Sequence, residues 1–557
     1  MQKIKLLFIA LISIQTYAFA QLGTGLPEKF SKKDSLRGTL SNIRNNYDVK
    51  FYKLDIKIDI ENKFISGFNE INFLAKENIK TIQIDLFDNM KINKIQYDGA
   101  DLKFTREYNA VFVNFNKTIE KGTRSSIKVF YEGNPMIAKR APWDGGFVFK
   151  KDKNGHPHIG VACQGTGASL WWPNKDHQSD EPDSMAIHIT SSSLYETVCN
   201  GRLRAKKNLG DGYTRFEWFV SNPINNYNVS VNIADYDHWT DTYKSKIDGE
   251  VLTLDYYVLK DDAEKAKKQF EQVKPMMDIF EKRFGKYGFY TDGYKLVQTP
   301  YLGMEHQSCV AYGNGFKNGY LGFDLSGSGE GMKFDYIIIH ETAHEWWGNN
   351  VTSYDIADMW IHEGFGQYSE VVYLEDMYGR ESANKYLNGI KKGIGNKEPI
   401  IGPYGVNKEG SGDMYPKGAL FLNTLRNYID NDKVWWDIVK SIQKEYRHKN
   451  ISTEDVLALM ERKSSMDLKP VFDQYLRYGN LPELYVEASN VGSNVQLKFK
   501  WNAEVNDFNL PVNLKTKQDV IRIYPSNSLT EIIVKENEID DLSFDRTSMY
   551  YKLNFVK

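Results

Sequence analysis

Four residues in the middle of the chain carry its clearest chemistry. His340, Glu341 and His344 stand in the run HETAHEWWGNN, and eighteen residues separate His344 from Glu363 in the run WIHEGFGQYSE. On a helix His340 and His344 lie one turn apart on the same face, so both imidazoles can reach one metal ion. Two histidines and a carboxylate are the ligands of a hydrolytic zinc site. The sequence therefore predicts one Zn²⁺ per chain, held by His340, His344 and Glu363.

This ligand set leaves the fourth position of a zinc tetrahedron open for water. Zinc lowers the pKa of such a water from about 16 to near 7, and Glu341 is placed to take its proton as it attacks a carbonyl carbon. The predicted chemistry is amide hydrolysis. The alternative, two solvated histidines on an ordinary amphipathic helix, is disfavoured by Glu363 and by the motifs described next.

The predicted ligands lie on two helices. The run FDYIIIHETAHEWW is typical of a buried helix, and Met359 to Tyr378 is typical of a second helix with Glu363 in its first turn. Glu370 follows Glu363 by two turns on the same face. It could accept a hydrogen bond from a ligating histidine, or it could remain solvated.

These residues resemble the aminopeptidase N family of gluzincin metallopeptidases, which includes leukotriene hydrolase. The family has the same eighteen-residue spacing, and LGMEH at 302–306 is similar to its Gly-x-Met-Glu-Asn segment. YPKG at 415–418 is similar to its Tyr-x-Lys-Gly signature. Three motifs in the same order make this resemblance specific over 302–418, whereas the similarity is weaker in the first part of the chain and fails near the C-terminus.

The resemblance implies a role for each site residue. Tyr415 would donate a hydrogen bond to the oxyanion of the tetrahedral intermediate, a contribution of roughly 3 kcal/mol. Glu305 would pair with the free α-ammonium of the substrate, and Gln164 would share in holding that amine. Gly303 and Met304 complete the substrate-binding segment. With the amine held at Glu305, only the first residue fits before the zinc, so the first peptide bond lies at the metal.

Three residues depart from the family pattern. The family has Gly at the position of Leu302 and Asn at the position of His306. It commonly has Asn at the position of His362. Lone histidines beside a site are more often hydrogen-bonded than metal-bound, so a second metal is not predicted.

The first twenty residues are typical of an export signal. Lys3 and Lys5 give a positive start, Leu6 to Ile14 is an apolar stretch too short to span a bilayer, and Ala18 to Ala20 is a small-x-small cleavage site. We expect a periplasmic or extracellular protein without a membrane span.

Composition excludes other classes of function. The chain has 71 Lys and Arg against 73 Asp and Glu, a formal charge of -2, so nucleic acid is not an expected partner. Its three cysteines are too few for a disulfide scaffold. Whether Cys163 and Cys199 pair stays open, and Cys309 is expected to be a plain buried thiol.

Hydrophobic periodicity divides the chain into parts. Apolar residues alternate from about 45 to 240, follow helical spacing from 262 through Tyr475 with Gly285 as a helix cap, and alternate again after the break at 479–482. We predict a multidomain α+β protein. Its parts are a signal peptide (1–20), an N-terminal extension (21–44), an N-terminal antiparallel β domain (45–240), a catalytic domain (241–481) and a small C-terminal β-sandwich-like domain (482–557).

The resemblance implies that the catalytic domain is thermolysin-like and mainly helical. It also implies a compact form, because the chain has no room for the large helical C-terminal domain of bigger family members.

The leading expectation is an exported zinc aminopeptidase that acts on peptides with a free N-terminus, as a monomer or weak oligomer. Without a helical roof the cleft could admit internal bonds, so a zinc endopeptidase is the alternative. A catalytically inactive peptide-binding protein is less favoured, because Glu341, Tyr415 and all three ligands are present. Nothing in the sequence favours an epoxide hydrolase.

Overall fold

The computed structural model of the chain describes residues 29–535 and 539–557. The predicted signal peptide, residues 1–20, lies outside the described residues. In the part that is described, no helix is both long enough and apolar enough to cross a membrane.

The N-terminal part is built from long amphipathic strands. Leu54, Ile56 and Ile58 are buried on alternate positions of the first strand, as the two-residue period predicts. The helices and strands of this part are α1 (Lys32–Gly38), α2 (Asn42–Asn45), β1 (Tyr47–Asp59), β2 (Phe64–Ala75), β3 (Ile79–Asp85), β4 (Met90–Tyr97), β5 (Ala100–Asp101), β6 (Lys103–Glu107), β7 (Ala110–Ile119), β8 (Arg124–Gly133), β9 (Gly146–Lys151), β10 (Pro157–Ala162), β11 (Ser184–Ser192), β12 (Glu196–Cys199), β13 (Arg202–Asn208), β14 (Tyr213–Val220) and β15 (Val231–Ala234).

Three sheets organise these strands. The largest has eight strands in the order β13-β14-β11-β1-β2-β8-β4-β5, and the others have the orders β12-β15-β10-β9 and β3-β7-β6. All neighbours in the eight-stranded sheet are antiparallel except β1 and β11, which run parallel from Phe51 opposite Ser184 to Lys57 opposite Thr190. Alternation of apolar residues reports burial of one face and not strand direction, so the sequence pattern could not separate this pair from the rest.

The catalytic part combines a sheet with helices. Its elements are β16 (Tyr236–Lys244), β17 (Val251–Leu259), α3 (Ala263–Gln269), α4 (Val273–Phe284), β18 (Tyr294–Gln298), β19 (Gly303–Met304), β20 (Val310–Tyr312), α5 (Tyr336–Ala343), β21 (Val351–Ser353), α6 (Trp360–Tyr378), α7 (Arg380–Ile390), α8 (Pro416–Ile429), α9 (Asp432–Glu445), β22 (Lys449–Ile451), α10 (Thr453–Ser464) and α11 (Lys469–Leu476). Five strands form a sheet in the order β16-β17-β18-β20-β19, with β19 at its edge. Helix α4 ends at Gly285, the predicted cap.

The C-terminal part returns to strands. These are β23 (Glu483–Val491), β24 (Asn494–Asn502), β25 (Val512–Lys515), β26 (Val520–Ile523), β27 (Thr530–Val534), β28 (Ser543–Phe544) and β29 (Lys552–Val556). They form a four-stranded sheet, β27-β24-β23-β29, and a three-stranded sheet, β26-β25-β28. The predicted architecture is confirmed: a β-rich N-terminal part, a helical catalytic part and a C-terminal part made of sheet.

Two hydrophobic cores explain how these parts are joined. One core runs through the catalytic helices into the C-terminal sheets, and Trp501 lies within it. The other fills the N-terminal β domain, and it also includes Tyr301, Met304 and Cys309 from the catalytic part. The segment around β19 is therefore fixed between the two larger parts by apolar packing.

A buried arginine ties the N-terminal helices to the β domain. Arg44 is 0% exposed, and its guanidinium donates to Asp85 Oδ2 at 2.8 Å and to the backbone oxygen of Asp176 at 2.9 Å. It also donates to the backbone oxygens of Leu36, Arg37 and Thr39. Removing a guanidinium from water costs free energy, and the acceptors that surround Arg44 compensate for that loss of hydration.

We predict that Arg44→Ala lowers the free energy of unfolding by about 3–5 kcal/mol, because it leaves the Asp85 carboxylate buried without its cation. Denaturant unfolding followed by tryptophan fluorescence measures the change. Lys32→Ala is the matched control, because the Lys32–Glu107 pair also joins an N-terminal helix, α1, to the β domain but is exposed and should contribute little. Equal stability of the two variants would contradict a structural role for the Arg44 cluster.

Candidate active site

Helix α5 begins at a defined cap and presents both predicted histidine ligands. The Asp335 carboxylate accepts hydrogen bonds from the backbone nitrogens of Ile337 at 3.1 Å and Ile338 at 3.3 Å, which fixes the first turn. His340 lies within the helix and His344 is its C-terminal cap. Four residues of helical geometry place the two imidazoles on one face.

The three predicted ligands converge on one point. His340 Nε2 lies 3.3 Å from His344 Nε2, and Glu363 Oε2 lies 3.5 Å and 3.4 Å from these two nitrogens. All three side chains are buried. Glu363 Oε2 has no hydrogen-bond partner among the described residues, so this oxygen is desolvated and aimed at the two ring nitrogens.

These distances fit a tetrahedral zinc ion. Zinc bonds of 2.0–2.1 Å place neighbouring ligands roughly 3.3–3.4 Å apart, which is the separation of the three atoms here. The donor set of two imidazoles and one carboxylate is the one used by hydrolytic zinc sites, with one position left for water or substrate. His340, His344 and Glu363 are therefore the residues that would hold the metal.

The outer nitrogen of each imidazole is also fixed. His340 Nδ1 lies 2.7 Å from Glu370 Oε1, and His344 Nδ1 lies 2.9 Å from the backbone oxygen of Trp347, so each Nδ1–H donates and each Nε2 is left free for a metal. Gln367 and the Tyr386 hydroxyl donate to the other oxygen of Glu370. Glu370 is 0% exposed, so the solvated alternative for this carboxylate is wrong.

Two glycines let the second and third site helices approach closely. A Cβ on Gly418 of α8 would lie 2.7 Å from the Cα of Gly364 in α6, and a Cβ on Gly364 would lie 3.2 Å from the Cα of Gly418, so a side chain at either position would push the helices apart. Tyr415 immediately precedes α8. Its ring stacks on the His340 ring with centroids 5.9 Å apart, which places the predicted oxyanion donor against a predicted ligand.

The predicted amine anchor, Glu305, lies beside His344 and Glu341. Gln164 Nε2 donates to Glu305 Oε1, and the Tyr227 hydroxyl donates to the same oxygen at 3.2 Å. Asn349 donates to the backbone oxygen of Glu305 at 2.9 Å, which links this residue to the segment after His344. Ligand atoms of Glu305, Glu341 and His344 lie within 4.8 Å of one another.

Burial controls the ionisation of the acidic residues at the site. It raises the pKa of Glu341 to about 8, a direction that suits a residue that must accept a proton. Burial also raises the pKa of Glu305 above its ordinary value. For Glu363 burial acts in the same direction, but the adjacent His344 and His340 outweigh it and hold the pKa well below its usual range.

A cleft of about 610 Å³ gives access to these residues. Gly303 and Met304 form edge strand β19, which pairs with β20 on one side only. A Cβ on Gly303 would lie 2.8 Å from Glu341 Oε1, so this glycine leaves room for the Glu341 carboxylate. The free edge of β19 can accept an extended peptide as a further strand.

The other histidines and the cysteines have different surroundings. His362 Nε2 accepts a hydrogen bond from the backbone nitrogen of Ser353 at 2.8 Å, which fixes β21 beside the site. The ring nitrogens of His306 have no hydrogen-bond partner in the described ranges, and burial lowers the pKa of this imidazole to about 3. The cysteines Cys163, Cys199 and Cys309 are all buried free thiols, so the possible Cys163–Cys199 bridge is not formed.

Sequence reasoning missed several residues that support the site. Tyr227 and Asn349 hold Glu305, and Glu345 accepts hydrogen bonds from the Ser308 backbone nitrogen and the Tyr287 hydroxyl, both at 2.7 Å. The only sequence signal was position, since Glu345 and Asn349 follow His344 within the HETAHEWWGNN run. Trp143 and Glu409 also line the cleft, from loops distant in sequence.

Comparison with known proteins agrees with this site. Residues 268–475 match the family model "Peptidase family M1 domain", a range that contains every predicted ligand as well as Glu305, Glu341 and Tyr415. Within this range the chain has a peptidase family M1 domain.

The curated relatives are distant and longer. Glutamyl aminopeptidase of Bos taurus is 25% identical over 346 residues, covering 59% of this chain and 35% of that protein. Endoplasmic reticulum aminopeptidase 1 of Mus musculus is 24% identical over 294 residues, covering 50% of this chain and 30% of that protein. The matched region is thus about a third of the length of these relatives.

Solved structures of distantly similar proteins share the fold. Legionella pneumophila aminopeptidase A in complex with aspartic acid has a TM-score of 0.76 at 17% identity, over 92% of this chain and 60% of that one. An M1 zinc metallopeptidase mutant from Deinococcus radiodurans bound to a Tyr-Ser-Ala substrate has a TM-score of 0.64 at 17% identity, over 78% of this chain and 94% of that one.

We predict that Glu370→Ala weakens zinc binding about 10- to 100-fold, because His340 loses the acceptor that fixes its ring and its tautomer. Glu370→Gln should bind zinc more tightly than Glu370→Ala, since its side-chain oxygen can still accept from His340. Titration with a competing chelator measures the affinities, and circular dichroism verifies folding. Glu381→Ala, an exposed carboxylate on α7, is the control. Unchanged affinity in Glu370→Ala would remove this residue from the site.

Proposed function

We propose that this chain is an exported aminopeptidase that uses one zinc ion to remove N-terminal residues from peptides. The observation that carries the proposal is the position of the amine anchor. Glu305, held by Gln164 and Tyr227, has its carboxylate within 4.8 Å of His344 and Glu341. A peptide whose α-ammonium pairs with Glu305 would have its first carbonyl at the convergence of His340, His344 and Glu363.

The chain's own residues account for the remaining steps. When bound, zinc supplies Lewis-acid chemistry, lowering the pKa of water and polarising a carbonyl. Glu341 accepts the proton of the attacking water and returns it to the leaving nitrogen. The Tyr415 hydroxyl donates to the oxyanion that develops on the carbonyl oxygen. Burial keeps the pKa of Tyr415 well above its ordinary value, so this hydroxyl retains its proton.

Strand β19 orients the substrate between these groups. A peptide added to its free edge is held by main-chain hydrogen bonds, which do not depend on the side chains of the substrate. The Glu305 carboxylate is buried, so it requires a cation to replace the water it has lost. This requirement favours an exopeptidase over the endopeptidase alternative.

The comparisons support the same class of activity. The curated relatives are named as aminopeptidases, and one structural neighbour holds the peptide Tyr-Ser-Ala. Export to the periplasm or the exterior is supported by Lys3, Lys5 and the apolar stretch from Leu6 to Ile14. A monomer or weak oligomer remains the proposed state.

A panel of aminoacyl amides, each also in N-acetylated form, tests the proposal. We expect turnover of the free-amine forms, its loss on treatment with a chelator and its recovery with added zinc. The acetylated forms should be cleaved at least about 100-fold less efficiently, because they leave the Glu305 carboxylate buried without a cation. Equal cleavage of both forms would favour the endopeptidase.

We predict that Glu341→Gln lowers kcat about 10²- to 10⁴-fold, because the amide cannot accept the proton of water. Zinc content by elemental analysis should stay at one per chain, since Glu341 is not among the three ligands. Glu271→Gln, an exposed change on the same catalytic part, serves as the matched control. Activity that survives in Glu341→Gln would exclude this residue as the base.

A further inference from the structure

One tryptophan stands apart from all the others in the chain. The chain has 11 tryptophans, all at described positions, and ten of them are buried or partly buried. Trp143 is 64% exposed and lines the cleft described above. An indole carries a large apolar surface, and leaving it in water gives up the free energy of burial.

The turn that presents Trp143 is held firmly. The Asp144 carboxylate accepts hydrogen bonds from the backbone nitrogens of Lys139 at 2.6 Å and Arg140 at 2.8 Å. The backbone nitrogen of Trp143 donates to the Arg140 oxygen at 3.0 Å. The exposure of the indole is therefore set by a closed turn and not by a loose loop.

The same turn is joined to the wall that carries Gln164. Thr166 Oγ1 donates to the backbone oxygen of Asp144 at 3.2 Å. A Cβ on Gly145 would lie 2.4 Å from Thr166 Oγ1, so the turn and the 164–167 segment are in close contact. The indole of Trp143 and the amide that holds Glu305 thus belong to one wall of the cleft.

A substrate side chain would reach this wall. In the proposed reaction the α-carbon of the first residue lies between the amine at Glu305 and the carbonyl at the zinc ligands. Gln164, Thr166 and Trp143 line the cleft that this side chain would enter, and Trp143 offers the only exposed indole among the described residues. Aromatic and aliphatic groups pack favourably on such a ring.

Charge next to the indole argues against a cationic side chain at this position. Lys139 and Arg140 precede Trp143 in the same turn, and both are exposed. Lys408 and Glu409, of opposite charge, also line the cleft. A lysyl or arginyl side chain could stack on the indole, but it would approach the two like charges of the turn.

We propose that Trp143 is a specificity-determining residue that binds the first side chain of the substrate and favours large apolar or aromatic residues there. This inference rests on the proposed aminopeptidase activity. It assigns to a loop of the N-terminal β domain the choice of which residue is removed.

Trp143→Ala and Trp143→Phe test the inference on alanyl, leucyl, phenylalanyl, lysyl and glutamyl amides that share one leaving group. In Trp143→Ala we expect KM for the leucyl and phenylalanyl amides to rise roughly three- to tenfold. KM for the alanyl amide and all kcat values should change less than about twofold, because a methyl group makes little contact with the ring. Trp143→Phe should restore most of the preference. Leu194→Ala, which is 78% exposed in the turn after β11, is the control.

Each other outcome would overturn the inference. An equal rise in KM for every amide, alanyl included, would mean that Trp143 only supports the wall. A loss confined to the lysyl amide would assign the indole to cationic residues, and no change would remove it from substrate binding. Absence of wild-type turnover on all free-amine amides would instead overturn the aminopeptidase proposal, and the subsite with it.

Discussion

Three buried ligand atoms lying 3.3–3.5 Å from one another are the constraint on which the rest of this structure depends. Two imidazole nitrogens and a carboxylate oxygen at this separation have lost their water, and a shared cation is what compensates them. The surrounding protein keeps them from moving apart. Asp335 fixes the start of the first helix, the Gly364–Gly418 contact fixes the crossing of the other two, and Glu370 fixes the outer nitrogen of His340.

The amine anchor depends on a second constraint, which crosses the boundary between two parts of the molecule. Glu305 belongs to the catalytic part, but Gln164 and Tyr227, which bond to its carboxylate, belong to the N-terminal β domain. Met304 packs into the core of that domain. The distance from the anchor to the zinc ligands is therefore set by the packing of one part on the other, and this distance is what would limit cleavage to the first residue.

The N-terminal helices contribute to the same assembly through polar contacts. Thr39 Oγ1 donates to the Gly405 backbone oxygen at 2.8 Å, and Asn407 Nδ2 donates to the Gly165 backbone oxygen at 3.1 Å. Gly165 and Asn407 both line the cleft. Buried Arg44 anchors these helices to Asp85 and Asp176 of the β domain, and Thr39 links them to the 405–407 segment, which lines the cleft at Asn407. Loops from separate parts of the chain therefore bound the cleft.

The sequence by itself determined what depends on local spacing. The one-turn separation of His340 and His344, the position of Glu363 in the first turn of α6 and the alternation of Val495, Leu497 and Phe499 all follow from helix and strand periods, and the structure has each of them. Only the tertiary structure decided which distant segments meet. It buried Glu370 against His340, brought Tyr227 to Glu305, made β1 and β11 parallel and set Trp143 in the cleft. Periodicity shows which face of a helix or strand is buried. Contacts between distant elements depend on how their surfaces pack together, and the local sequence pattern does not show which surfaces will meet.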